Sequence, residues 1–107
     1  METTTETTRV EREVAIVRLR APEVAGDLAR QVAEAVSEIR TLGLYKPPGI
    51  AETIDWARAL TLLGRTTLDP AAAAATLGSV VKYHEDGQRV RDRGIDALVR
   101  EAVARSA

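Results

Sequence analysis

Few residues in this sequence are of types that do chemistry, and their spacing argues against most reactions. His84 stands in a consecutive triplet with Glu85 and Asp86. Neighbours on a helix point in different directions while a metal ion needs converging donors, so the triplet predicts a solvated helix end and no metal site. With no cysteine and a single histidine, nucleophilic catalysis has nothing to build on. Ser37, Ser79 and Ser106 lie in no nucleophile motif. Phosphate chemistry would need a G-x-x-x-x-G-K-[ST] loop, and none of the seven glycines lies in one. There is also no apolar strand ending in paired acids to hold magnesium. Taken alone, the chain is therefore expected to catalyse nothing and to carry no cofactor.

Two further groups invite a binding role. Arg89, Arg91 and Arg93 stand close together before the last apolar segment, as in a small helical DNA-binding domain. Asp86, Asp92 and Asp96 interleave with them and dilute the field, so a solvated charged face is the preferred reading. Fifteen basic and sixteen acidic residues leave a formal net charge of −1, with no global pull toward nucleic acid or anionic lipid. Trp56 has the type of an interface hot spot, but with Leu60 and Leu63 it also forms an apolar stripe, and a core position is expected.

The elements that must position these residues read as helices throughout. Strand alternation is missing, and apolar residues recur at helical spacing. Residues 1–8 are polar and threonine-rich, which predicts a mobile tail. Thr8 with Glu11 has capping-box form, opening a helix to about Arg20 through Val10, Val14 and Val17. Pro22 and Glu23 suit the first turn of a second helix, whose stripe is Val24, Leu28, Val32, Ala35, Val36 and Ile39 and whose C-terminal stop is Gly43. Tyr45-Lys46-Pro47-Pro48-Gly49 predicts a stiff loop, because proline restricts the residue before it. A third helix follows from Ile50 to about Leu63, ended by Gly64. Asp69-Pro70 starts a fourth, expected to run through the compactly packing alanines to about Glu85. Gly87 is expected to break the chain before a fifth helix carrying Ile95, Leu98, Val99, Ala102 and Val103. An aliphatic core without phenylalanine suits such packing. No secretory signal and no run of ~18 apolar residues is present, so a soluble cytoplasmic protein without membrane partners is expected.

The run from Tyr45 to Leu60, YKPPGIAETIDWARAL, resembles the most characteristic stretch of the helical lid domain in one branch of MoxR-type AAA+ ATPases, of K-x-P-G-[IV]-A-E-T-[IL]-D-W-A-x-A-L form. Its flanks agree: Glu13, Ile16 and Val17, then Ile39-Arg40, Leu68-Asp69, and a segment from Leu77-Gly78 through Lys82-Tyr83 to Glu85-Asp86. The resemblance implies a small all-α bundle of four to five helices. Residues 9–86 would form the lid-like domain and 87–107 a C-terminal helix. It further implies a part in chaperone-like maturation of metalloenzymes, with an AAA+ core or copies of itself as partner and a von Willebrand factor A domain protein as a further one. ATP and magnesium would be bound only in company with such a core. Since the Walker motifs are missing from this sequence, the chain would be a truncated or accessory form, not catalytic by itself.

By the same resemblance Pro47, Pro48, Gly49, Glu52, Asp55 and Trp56 are the motif and interface residues, and Lys46 and Arg58 are the candidates to lie near nucleotide. A Pro-Pro-Gly loop entering a helix presents backbone N–H groups and Lys46 to an anion. Glu52 and Asp55 compete for the same dipole, which argues against nucleotide binding in isolation. The alternative is a small helical DNA-binding or protein-interaction domain, although nucleic acid is not the expected partner.

Overall fold

A computed structural model describes residues 2–107 of the chain, with side chains from residue 8 onward. In order, its elements are α1 (Glu2–Arg20), α2 (Gly26–Ile39), a 3-10 turn (Arg40–Leu42), α3 (Ile50–Leu62), α4 (Pro70–Ala75), a second 3-10 turn (Leu77–Ser79), α5 (His84–Arg93) and α6 (Ile95–Ser106). Among the described residues there is no strand, and the chain is an all-α bundle. No helix among them is long and apolar enough to cross a membrane. Of the tail expected over 1–8, residue 1 lies outside the described residues and the rest falls within the span of α1. Thr8, expected as the first cap, lies within the span of α1.

Helix α2 is the axis of the bundle, packing against α6, α1 and α3. Its predicted stripe is buried throughout: Val24 before the helix, then Leu28, Val32, Ala35, Val36 and Ile39. Ala29 and Ala33 are buried as well, so the helix is covered on more than one face. Small side chains make this possible, since alanine lets neighbouring helices approach closely, and Ala102 of α6 is likewise fully buried. The alanine run contributes Ala72 and Ala73 to the core, while Ala71, Ala74 and Ala75 face out. Trp56 is 1% exposed, the core position expected of it. Leu63 departs from the stripe drawn through Trp56 and Leu60. It lies beyond the last turn of α3, at the C-cap, and is half exposed.

Three boundaries differ from expectation. Pro22 and Glu23 form a turn, and α2 starts only at Gly26. The Val24 N–H donates to Ala21 O at 3.0 Å in that turn, and both side chains enter the core. The fourth helix stops at Ala75 where a run to Glu85 was expected. Thr76 there has left helical geometry (φ −107°, ψ 8°), and its hydroxyl accepts the indole N–H of Trp56 at 2.7 Å. Gly87 does not break the chain. It is buried within α5, its N–H donating to Tyr83 O at 3.0 Å, so the expected division between 9–86 and 87–107 falls inside a helix. The break comes at Gly94, whose φ of 100° suits glycine alone. Gly43 and Gly64 do take the positive φ predicted for helix stops, 69° and 79°. The last helix packs along α2 and α4 and belongs to the bundle.

Candidate functional site

The residues singled out by motif gather around the loop between α2 and α3, and polar contacts hold that loop from several sides. At its start the N–H groups of Tyr45 and Lys46 donate to the two carboxylate oxygens of Asp86, at 2.8 and 2.9 Å. Near its end Arg40 Nε donates to Pro48 O at 2.8 Å. The same guanidinium is forked onto Glu13, with Nη1 to Oε2 at 2.8 Å and Nη2 to Oε1 at 2.9 Å. Both side chains of this pair are about nine-tenths covered, at 12% and 10% exposure. Arg9 Nε adds a third donor to Glu13 at 3.2 Å. Planar bidentate geometry with further hydrogen bonds is what a covered ion pair requires if desolvation is to be offset.

The junction with α3 is equally well satisfied. Gly49 has no side chain to cap the helix, and Glu52 supplies the complementary half of a capping box by accepting the Gly49 N–H at 2.8 Å. Thr53 donates to Gly49 O through its backbone N–H at 3.1 Å and its hydroxyl at 3.0 Å. The Gly49 N–H holds the Glu52 carboxyl below the ordinary carboxylate value; burial opposes this, and Lys46 and Lys82 reinforce it. Asp69 is lowered in the same way, chiefly by the Ala72 N–H that it caps, with Arg65 adding to the effect against burial. Both carboxylates already serve helix starts.

Lys46 and Arg58 are not brought together. Lys46 is exposed at the loop, where its charge acts on Glu52. Arg58 is exposed on α3, donating to Arg20 O at 2.8 Å and pairing with Glu23 at 3.5 Å. Pro47 and Asp55 are exposed, whereas Pro48 is buried beneath the loop. Trp56 lies in the core and braces the end of α4 through Thr76. The motif thus divides into an inward set, Pro48, Thr53 and Trp56, and an outward set, Tyr45, Lys46, Pro47 and Asp55.

The solvated helix end expected of His84, Glu85 and Asp86 is correct for the first two only. Asp86 is 3% exposed and is the anchor of the loop. No group of three His, Cys, Asp or Glu side chains among the described residues could hold a metal ion. Of the arginine cluster, Arg93 is paired with Glu101 at 2.7 Å and Glu38 at 3.4 Å, and these contacts raise its pKa. Arg89 and Arg91 are exposed.

Residue-by-residue reasoning missed Asp86 and the Glu13–Arg40 pair as organisers of the loop. Asp86 follows two exposed polar residues and carries no local sign of burial. Arg40 reads as one more charge on the polar side of α2. The chain matches no family model, no curated protein and no solved structure.

Proposed function

We propose that this chain is a lid-like helical module of the MoxR type, not catalytic by itself, that contacts an AAA+ ATPase core or its own copies through the loop between α2 and α3. The observation that carries the reading is the preorganised loop. Its backbone is held by Asp86, Arg40 and Glu52, while Tyr45, Lys46 and Pro47 project outward. A loop that is rigid yet presents its side chains to solvent loses little freedom on docking, which favours contact with a partner. The absence of a phosphate-binding motif from the sequence supports a role that completes a partner's site. The resemblance of the Tyr45–Leu60 run supplies the family, and ATP with magnesium belongs to the partner core.

The DNA-binding alternative has less support, because Arg93 is engaged by two acids and Asp92 is bonded to Gln88 within the same helix. The test is reconstitution. A MoxR-type AAA+ core purified without its lid is mixed with the full chain, and ATP turnover and co-elution are followed. Turnover that rises with added chain, and falls when Lys46 and Pro47 are both changed to serine, supports the reading. No complex and no change in turnover at tens of micromolar chain, or turnover by the chain alone, would overturn it.

A further inference from the structure

Tyr45 and Tyr83 are distant in sequence and meet at the surface. Their ring centroids lie 5.3 Å apart with planes at 89°, an edge-to-face pair. Such large rings are usually covered, yet Tyr45 is 83% exposed and Tyr83 45%. Together with Glu85 they line a shallow hollow of about 290 Å³. Neither phenol hydroxyl nor the Glu85 carboxylate has a hydrogen-bond or ion-pair partner among the described residues.

Tyr83 and Glu85 stand at the start of α5, and Tyr45 is tied to that turn through its backbone. Asp86 fixes the backbone at Tyr45, and it stands next to Glu85 in the first turn of α5. Tyr83 is the residue immediately before that helix, its carbonyl accepting the Gly87 N–H. The rings and the carboxylate are therefore preorganised by the contact that anchors the loop. Nearby cations are directed elsewhere: Lys82 Nζ donates to Ser79 O at 3.0 Å, and Lys46 and Lys82 both act on Glu52. Arg89, one turn on from Glu85, lines a separate hollow with it and forms no ion pair with it among the described residues; its Nη1 lies 3.9 Å from where a Cβ on Gly43 would be.

Tyrosine π-electrons beside a carboxylate with no ion-pair partner among the described residues attract a cation. A guanidinium fits better than an ammonium, because it is planar and weakly hydrated and can stack on a ring while its edge pairs with a carboxylate. We infer that the Tyr45, Tyr83 and Glu85 hollow receives an arginine side chain of a partner protein. Tyrosine and arginine are both enriched where binding energy concentrates, which suits this pairing. The inference does not rest on the lid reading, and any partner presenting an accessible arginine satisfies it.

The test is a titration of the full ¹⁵N-labelled chain, followed by amide chemical shifts. The probe is N-acetyl-arginine methylamide, compared with its lysine counterpart and with the neutral isostere N-acetyl-citrulline methylamide. Shifts centred on residues 45, 83 and 85 are expected with the arginine probe. Tyr83→Leu keeps bulk and removes the π face, and should weaken binding roughly two- to fivefold. Glu85→Gln should weaken it by a factor of the same order, about two to five. Because both positions are exposed, folding of each variant is checked by the unchanged remainder of the spectrum. Equal binding of the citrulline or lysine probe overturns the inference. So do shifts scattered over other acidic residues, or variants that bind as the parent does.

Discussion

Replacing Asp86 with Asn is the most direct perturbation of the loop. The ionised carboxylate accepts two backbone N–H groups, from Tyr45 at 2.8 Å and Lys46 at 2.9 Å, one on each oxygen. Asparagine keeps the shape but offers one acceptor, and its NH₂ group then faces the other N–H, donor against donor. Hydrogen bonds to charged groups contribute about 1.5–3 kcal/mol each, so one lost and one weakened bond would cost about 3 kcal/mol if fully buried. Tyr45 and Lys46 are exposed, and water can reach a released N–H, which reduces the loss to about 2 kcal/mol. For a domain near this size, that lowers the melting temperature by roughly 10 °C.

Trp56 is the sole tryptophan and is buried, so its fluorescence reports urea unfolding directly. Hydrogen exchange at the amides of residues 45 and 46 reports the loop itself. Both should change in Asp86→Asn, and neither should change in Glu85→Gln one residue away. A stability loss below about 0.5 kcal/mol, the range of ordinary surface substitutions, with exchange at 45 and 46 unaltered, would refute the assignment of Asp86 as anchor.

Two other outcomes follow from the same contacts. Glu52 and Asp69 both have folded-state pKa values below the ordinary ones, so the unfolded chain binds protons more readily and stability falls with acid. Their contribution is fully present at neutral pH and is lost as pH drops below about 4.5 for Glu52 and about 3.8 for Asp69, through the lowered folded values; Glu52→Gln should flatten the Glu52 part of that decline in urea midpoints measured from pH 6 to 3, and an unchanged slope would contradict it. Arg40→Met strands a covered Glu13 with Arg9 as its one remaining ion-pair partner among the described residues and should cost about 2–3 kcal/mol by thermal unfolding, less than a fully buried break because that partner remains. The double variant Glu13→Leu/Arg40→Met should recover part of the loss, and a double variant whose loss equals or exceeds the sum of the single losses would count against the pair.

Helical spacing made the course of the bundle legible. Val14 and Val17, the α2 stripe, Leu60 and Leu98 were readable as core, because a residue's helical face is set by its own position in the repeat and a long stripe must be covered. Gly43, Gly64 and the Asp69 cap were readable for a similarly local reason, since positive φ and an N-cap oxygen are properties of one or two residues. Thr76 and Gly87 mark the limit. Local propensity continues the helix at the first and interrupts it at the second, and tertiary contacts reverse both: the Trp56 indole meets Thr76, and Gly87 is buried where α5 joins the bundle.

The sequence alone determined an all-α chain, several of its helix limits, a proline-stiffened loop ahead of α3, and the absence of cysteine and of a G-x-x-x-x-G-K-[ST] motif. Only the tertiary structure decided which polar residues turn inward to hold that loop. Asp86 meets Tyr45 and Lys46 across 41 and 40 residues, Glu13 meets Arg40 across 27, and Gln31 accepts the Leu68 N–H across 37. A carboxylate on the polar face of a helix reads the same whether it meets water or a distant backbone N–H. Its partner is chosen by how the helices pack, which no stretch of a few turns encodes.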